Sequence, residues 1–329
     1  MTEQMTIGID VGGTNMRAAL LDERAAVRQR VSTETLAAEG FDAVMQRCAG
    51  LVTALLTNAN ATNADWPIGI GVPGPLSHKT GVVLNAPNLP GWKNAPVRDR
   101  LAALTERIVV VENDANAAAY GEFVAGAGEK SGDMVMLTLG TGIGGGVILN
   151  GELIRGHFDN AGEIGHMVVE PAGRECPCGQ RGCLERYASA AAIADRVREA
   201  LAGGEQSSLS NATELDSGAV QAAAAAGDAL ASRIWSDACR YLAIACVNLQ
   251  HILNPRTVVL AGGLINAGEA LLDGVAKEFR RLTWKMADDA PAIRLAQLAG
   301  DAGVIGAALL ARKFAGGTPV QSAQDFPSL

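Results

Sequence analysis

His166, Cys176, Cys178 and Cys183 offer one imidazole and three thiolates within a short stretch of chain, a donor set suited to tetrahedral Zn2+. Gly179 and Gly182 leave the backbone around the last two cysteines free to wrap an ion, and a Cys-x-Cys pair is too close to form a useful disulfide. Four protein ligands close a zinc site, so a metal here is a scaffold and not an activator of water. Three unligated cysteines in an acidic loop are the plainer alternative. Glu163 and Glu185 flank this loop, where fixed acids can accept hydrogen bonds from vicinal hydroxyls; on spacing alone they are equally surface charges.

A second group of acids sits at strand ends. Asp114 follows the run Ile108-Val-Val-Val111 and opens an alanine-rich helix, which puts a carboxylate at the carboxyl end of a strand, where α/β proteins bind ligands. Asn113 or Asp114 is equally well explained as the helix N-cap. Asp10 closes the first apolar strand just before Gly12-Gly13, where an acid can hold Mg2+ beside phosphates, or serve as an ordinary turn aspartate.

Two glycine loops complete the set, Val11-Gly-Gly-Thr14 and Gly140-Thr-Gly-Ile-Gly-Gly-Gly146. The second satisfies the dinucleotide pattern G-x-G-x-x-G, but that fingerprint needs a helix after the glycines. Here Val147-Ile-Leu runs on as a strand into the Asn150-Gly151 turn, so the loop joins a hairpin. Two such loops can cup a phosphate chain with bare backbone N–H groups, or be no more than tight turns. Gly12 falls on Gly140 at an offset of 128 residues, which also sets Asp10 on Thr138 and Leu20 on Ile148, the mark of a duplicated domain.

The elements that must position these residues alternate. Strands are expected over Met5–Asp10, Arg17–Leu21, Ile68–Val72, Ile108–Val111, Met134–Leu139, Val147–Gly151 and Thr257–Ala261. Helical periods cover Gly40–Asn58, Ala115–Val124, Ala188–Ala202, Ser217–Leu253 and Ala302–Phe314, with a short helix before Ile108 and a mobile polar tail at the end. This is an α/β protein with largely parallel sheets. With 329 residues, 48% hydrophobic and 19% charged, the chain has ample core for two domains. A net charge of −8 argues against a general grip on nucleic acid or anionic lipid. No apolar run reaches the roughly 18 residues of a membrane span, and the N-terminus has no basic leader, so a cytoplasmic location is expected. Three clustered and three scattered cysteines fit a reducing compartment.

In their order and spacing, Asp10-x-Gly-Gly-Thr14, Glu112-Asn-Asp114, Leu139-Gly-Thr-Gly-Ile-Gly-Gly-Gly146, Glu163-x-Gly-His166, Cys176-x-Cys-Gly-x-x-Gly-Cys183 and Gly262-Gly263 resemble the ROK family of sugar kinases and repressors. The resemblance runs from Ile7 to about Ala311. It implies two ribonuclease-H-like domains of the actin-like ATPase superfamily around a cleft: a smaller one over 1–118 plus about 302–329, and a larger one over 119–301 with the zinc loop. It implies ATP and Mg2+ between the glycine loops, a hexose beneath them, a structural Zn2+, and a homo-oligomer, dimer or tetramer. Asp114 resembles the family's catalytic base, which takes the proton of the sugar 6-hydroxyl. Asn113, Glu163, His166 and Glu185 match its sugar-binding positions, His166 also as a zinc ligand. Gly12, Gly13, Thr14, Thr141 and Gly142 match the phosphate loops, Gly262 and Gly263 the nucleotide side. Leu184-Glu-Arg-Tyr-Ala-Ser189 looks most like the family's bacterial glucokinases, with kinases of N-acetylglucosamine or N-acetylmannosamine as the near alternative and a non-catalytic sugar-sensing regulator as the distant one. Too few residues precede the first strand to hold the DNA-binding module of the repressors, and the donor, ATP or polyphosphate, is open.

Overall fold

The structure, a computed structural model, describes residues 5–86, 88–128, 132–285 and 289–315. The polar tail expected to be mobile lies outside the described residues beyond Ala315. The chain begins with strands β1 (Thr6–Val11), β2 (Asn15–Leu21) and β3 (Val27–Glu34), then helix α1 (Phe41–Asn58) and β4 (Ile68–Val72). A small ribbon, β5 (Leu76–Ser77) and β6 (Val82–Val83), and helix α2 (Val97–Thr105) lead to β7 (Val109–Asn113) and α3 (Asp114–Ala125). Next come β8 (Met134–Leu139), β9 (Ile143–Leu149) and β10 (Glu152–Leu153), and helices α4 (Glu185–Ala188), α5 (Ala190–Ala202), α6 (Ser217–Ala225) and α7 (Ala229–Leu253). Strand β11 (Thr257–Ala261), helix α8 (Glu269–Leu282), β12 (Ala292–Leu295) and α9 (Ala302–Ala315) complete it.

Two compact units result, each with its own sheet and core. The first takes described residues in 5–125, 155–161 and 300–315; the second takes the remainder. The boundary expected after 118 falls inside α3, which stays whole with the first unit because it packs along α9. The short segment 155–161, expected in the larger domain, also belongs to the first.

The sheets have one topology. Their strand orders are β3-β2-β1-β4-β7 and β10-β9-β8-β11-β12, each with an antiparallel hairpin beside two parallel strands. The registers differ by one residue: Asp10 pairs with Arg17 in the first hairpin, but Thr138 pairs with Gly144 in the second. The second turn is therefore one residue tighter, and Leu20 corresponds to Val147 instead of Ile148. Strand β9 also starts at Ile143, so Gly144, Gly145 and Gly146 belong to the strand and not to the expected loop. A Cβ on Gly145 would lie 2.5 Å from the Ile164 side chain, so the bare backbone serves close packing.

In the first unit α9 lies flush on the sheet. A Cβ on Gly8 of β1 would be 1.9 Å from the Val304 carbonyl oxygen, and one on Gly69 of β4 would be 1.8 Å from that of Ala307. The expected helical stretch from Ser217 to Leu253 is broken after α6, where Gly227 adopts a φ of 90° and Asp228 caps α7 by accepting the Ala231 N–H at 2.9 Å.

Candidate active site

At the strand ends of the first unit, Asp10 and Asp114 bring two carboxyl groups into electrostatic contact. Burial, then the charge of Asp114, push the Asp10 carboxyl up to about 6, with Arg17 pulling the other way. Burial likewise raises Asp114 above the ordinary carboxylate range, against the Ala115 N–H that its Oδ1 accepts at 2.8 Å. Asn113 does act as a cap, its Oδ1 accepting the Asn116 N–H at 3.1 Å, so Asp114 is spared that task.

The start of α3 is held by Glu112, which is buried. Its Oε1 accepts from the Asn113 N–H at 3.1 Å and from Asn116 Nδ2 at 3.2 Å, and its Oε2 accepts from Arg155 Nε at 2.8 Å. Arg155 was not legible as a site residue: its partner is far away in sequence, and nothing in its neighbours signals an ion pair. The same holds for Thr35, fully buried, whose hydroxyl donates to the Gly12 carbonyl at 2.7 Å and whose N–H donates to the Thr14 carbonyl at 2.8 Å. Together these fix the turn of Gly12, Gly13 and Thr14, leaving Gly13 and Thr14 exposed.

In the second unit the glycine turn, Glu163-Ile-Gly-His166 and the cysteine loop form one packed body. A Cβ on Gly165 would lie 2.0 Å from the Ile143 carbonyl oxygen, so the segment carrying Glu163 and His166 sits directly on the hairpin. Ile143 in turn donates its N–H to Glu185 Oε2 at 2.9 Å, and Ala190 donates to the Gly140 carbonyl at 2.9 Å. Thr141 and Glu163 are exposed, while Gly142, His166 and Glu185 are half-buried. Gly262, with φ 87°, presses on β8: its Cβ would meet the Leu139 carbonyl oxygen at 2.5 Å, and Gly263 follows it exposed.

Cys176 Sγ lies 3.7 Å from His166 Nδ1 and Cys178 Sγ lies 3.6 Å from Cys183 Sγ, with all four donor atoms within 4.8 Å of one another. Tetrahedral zinc with ~2.3 Å bonds to sulfur spaces its sulfur ligands by about 3.8 Å, so this donor set fits that ion. Tyr187 braces the loop: its hydroxyl accepts the Arg174 N–H at 2.7 Å, and its ring packs at a tilt of 36° against Tyr241 with centroids 4.3 Å apart.

The site residues thus divide into two sets, Asp10, Gly12, Gly13, Thr14, Asn113 and Asp114 in the first unit and the rest in the second. A family model described as the ROK family matches residues 6–314. The chain belongs to the ROK family. The ROK chain is 37% identical over 321 residues to a glucokinase of Thermotoga maritima, covering 96% of this chain and all of the relative. It is 33% identical over 308 residues to an N-acetylmannosamine kinase of Citrobacter koseri, covering 93% and 98%. Its fold matches a ROK family glucokinase from Streptomyces griseus in complex with glucose and AMPPNP, with a TM-score of 0.78, 33% identity and coverage of 94% and 99%. Both sheets follow the ROK plan of the actin-like ATPase and sugar kinase fold. No described helix is long and apolar enough to cross a membrane.

Proposed function

We propose that this ROK protein transfers the γ-phosphoryl group of ATP to the 6-hydroxyl of glucose. The observation that supports it most is Asp114: a carboxyl group at a strand end, raised by burial and kept out of the helix cap by Asn113. A base poised above the usual carboxylate range is better matched to a hydroxyl proton near neutral pH. In this reading Asp114 takes the proton of the 6-hydroxyl as that oxygen bonds to the γ-phosphorus, and the bond from the γ-phosphorus to the bridging oxygen breaks to release ADP. Backbone N–H groups of the turns at Gly12–Thr14 and Thr141–Gly142 take the phosphates, and Gly262 and Gly263 the nucleotide. Asp10 is the residue that would hold Mg2+, whose charge would supply neutralisation of the phosphates; its carboxyl, pushed up by burial and then by a neighbouring acid, suits a divalent partner.

Asn113, Glu163, His166 and Glu185 orient the sugar. His166 turns Nδ1 toward Cys176, which leaves Nε2 for a hydroxyl, while His166, Cys176, Cys178 and Cys183 would hold a zinc ion that fixes the loop. Kinetics with ATP and Mg2+ test the proposal: glucose is expected to exceed N-acetylglucosamine and N-acetylmannosamine by at least ~10-fold in kcat/KM, since polar groups left unpaired by a wrong sugar are costly. The similarity to an N-acetylmannosamine kinase favours a second reading. An N-acetylhexosamine that matches glucose would establish it, and sugar binding without turnover would instead indicate a regulator. Polyphosphate in place of ATP completes the comparison of donors.

A further inference from the structure

Glu185 stands at an unusual junction. Its Oε2 accepts the N–H of Ile143 at 2.9 Å, inside the phosphate-loop turn, and a Cβ on Gly142 would lie 2.3 Å from that same oxygen. Gly142 lies outside the left-handed region, so its backbone alone does not demand glycine. A side chain there would have to displace the carboxylate. Gly140, in the same turn, has nothing within 4 Å of its would-be Cβ. The contact is thus local to Gly142 and Ile143, and the second tie between the segments, Ala190 to the Gly140 carbonyl, is backbone only.

We propose that Glu185 is a mechanical link between the two substrates: one carboxylate oxygen sets the phosphate-loop turn through the Ile143 amide while the other receives a sugar hydroxyl. The inference rests on the sugar-kinase reading and adds to it. A sugar that orders the carboxylate also orders the turn, and a phosphate chain that orders the turn presents the carboxylate to the sugar. Linkage then requires that glucose and nucleotide raise each other's affinity by one common factor.

Calorimetric titration with glucose, and separately with AMPPNP and Mg2+, tests this. In the wild type each ligand is expected to tighten the other by the same factor, at least about 5-fold. Glu185→Ala is expected to weaken AMPPNP about 5-fold with no sugar present, although Glu185 is a sugar-site residue. Glu185→Gln keeps an acceptor for the Ile143 amide, so AMPPNP affinity is restored to within ~2-fold while glucose affinity stays low. Glu185→Asp, one methylene shorter, repeats the loss with the charge kept and serves if the alanine variant fails to fold. In the converse arm Gly142→Ala, which crowds the carboxylate, weakens glucose about 5-fold with no nucleotide present, whereas Gly140→Ala leaves glucose affinity within ~2-fold. Wild-type AMPPNP affinity in both Glu185→Ala and Glu185→Asp, or wild-type glucose affinity in Gly142→Ala, overturns the link while leaving the kinase reading intact. A wild type that neither binds nor phosphorylates any of the hexoses tested overturns both.

Discussion

The turn between β1 and β2 is held by a hydroxyl, Thr35 on the Gly12 carbonyl, and the equivalent turn between β8 and β9 is held by a carboxylate, Glu185 on the Ile143 amide. Around the first turn the acids Asp10 and Asp114 gather, each raised by burial. In the second sheet Thr138 takes the place of Asp10, and its hydroxyl accepts the Gly144 N–H at 3.2 Å. In the proposed reading the same strand order therefore carries unlike chemistry, proton and cation handling in the first unit, metal-braced recognition in the second. The shared topology supplies two equivalent turns, and different side chains anchor them.

If that division holds, its largest consequence lies at Asp114. Asp114→Asn, which keeps shape and loses basicity, is expected to lower kcat at least ~10²-fold with sugar and nucleotide affinities largely intact. Near-normal turnover would remove Asp114 from the role. Next in size is Cys176→Ser, which opens the proposed zinc loop: one Zn2+ per wild-type chain by elemental analysis, and in the variant a KM for sugar raised about 10-fold or more with a lower Tm. An unchanged KM together with an unchanged Tm would argue that the loop needs no metal.

Thr35→Val probes the other anchor. Leaving the Gly12 carbonyl without its donor costs about 1–2 kcal/mol, and the KM for ATP is expected to rise several-fold while the KM for glucose stays put, since no carboxylate joins this turn to the sugar. Equal rises in both would erase the contrast between the turns. The smallest effect concerns stability alone. Asp10 is held above its unfolded value of 3.8, to about 6, so the folded state binds more protons than the unfolded state in that window, and the group's contribution falls as pH rises through it. Asp10→Asn, neutral throughout, should gain on the wild type by about 2–4 °C in Tm per kcal/mol between pH 4 and pH 7 without Mg2+. A gap in Tm that does not change with pH would show that Asp10 is not perturbed.

Much of this was legible because it depends on local pattern. The glycine hairpins, the cysteine loop and the β-branched run before Asp114 each declare themselves in a few consecutive residues. Tertiary ties were not. Thr35, Arg155 and Tyr187 act on partners distant in sequence, and their neighbours give no sign of it. Strand β3, an edge strand rich in charge, and the very short β10 and β12 have weak signals. Helix α8 is a different case: Leu271, Val275 and Phe279 recur at helical spacing and are buried, so its pattern is present in the sequence. Gly145 of β9 reads as loop because the contact that requires it, the Ile164 side chain, lies on another segment.

Helix α9 has one more consequence, for the order in which the molecule is made. It fills the face of the first sheet against Gly8 and Gly69, yet it is encoded after the whole of the second unit. A ribosome adding about 5–20 residues per second needs roughly 10–40 s to go from the end of α3 to the end of α9. During that interval the nascent first sheet exposes the apolar face that α9 will cover, and only near its end does the second unit have all its strands. The second unit thus has its last strand before the first unit has its last helix, and the earliest residues of the chain wait for its latest.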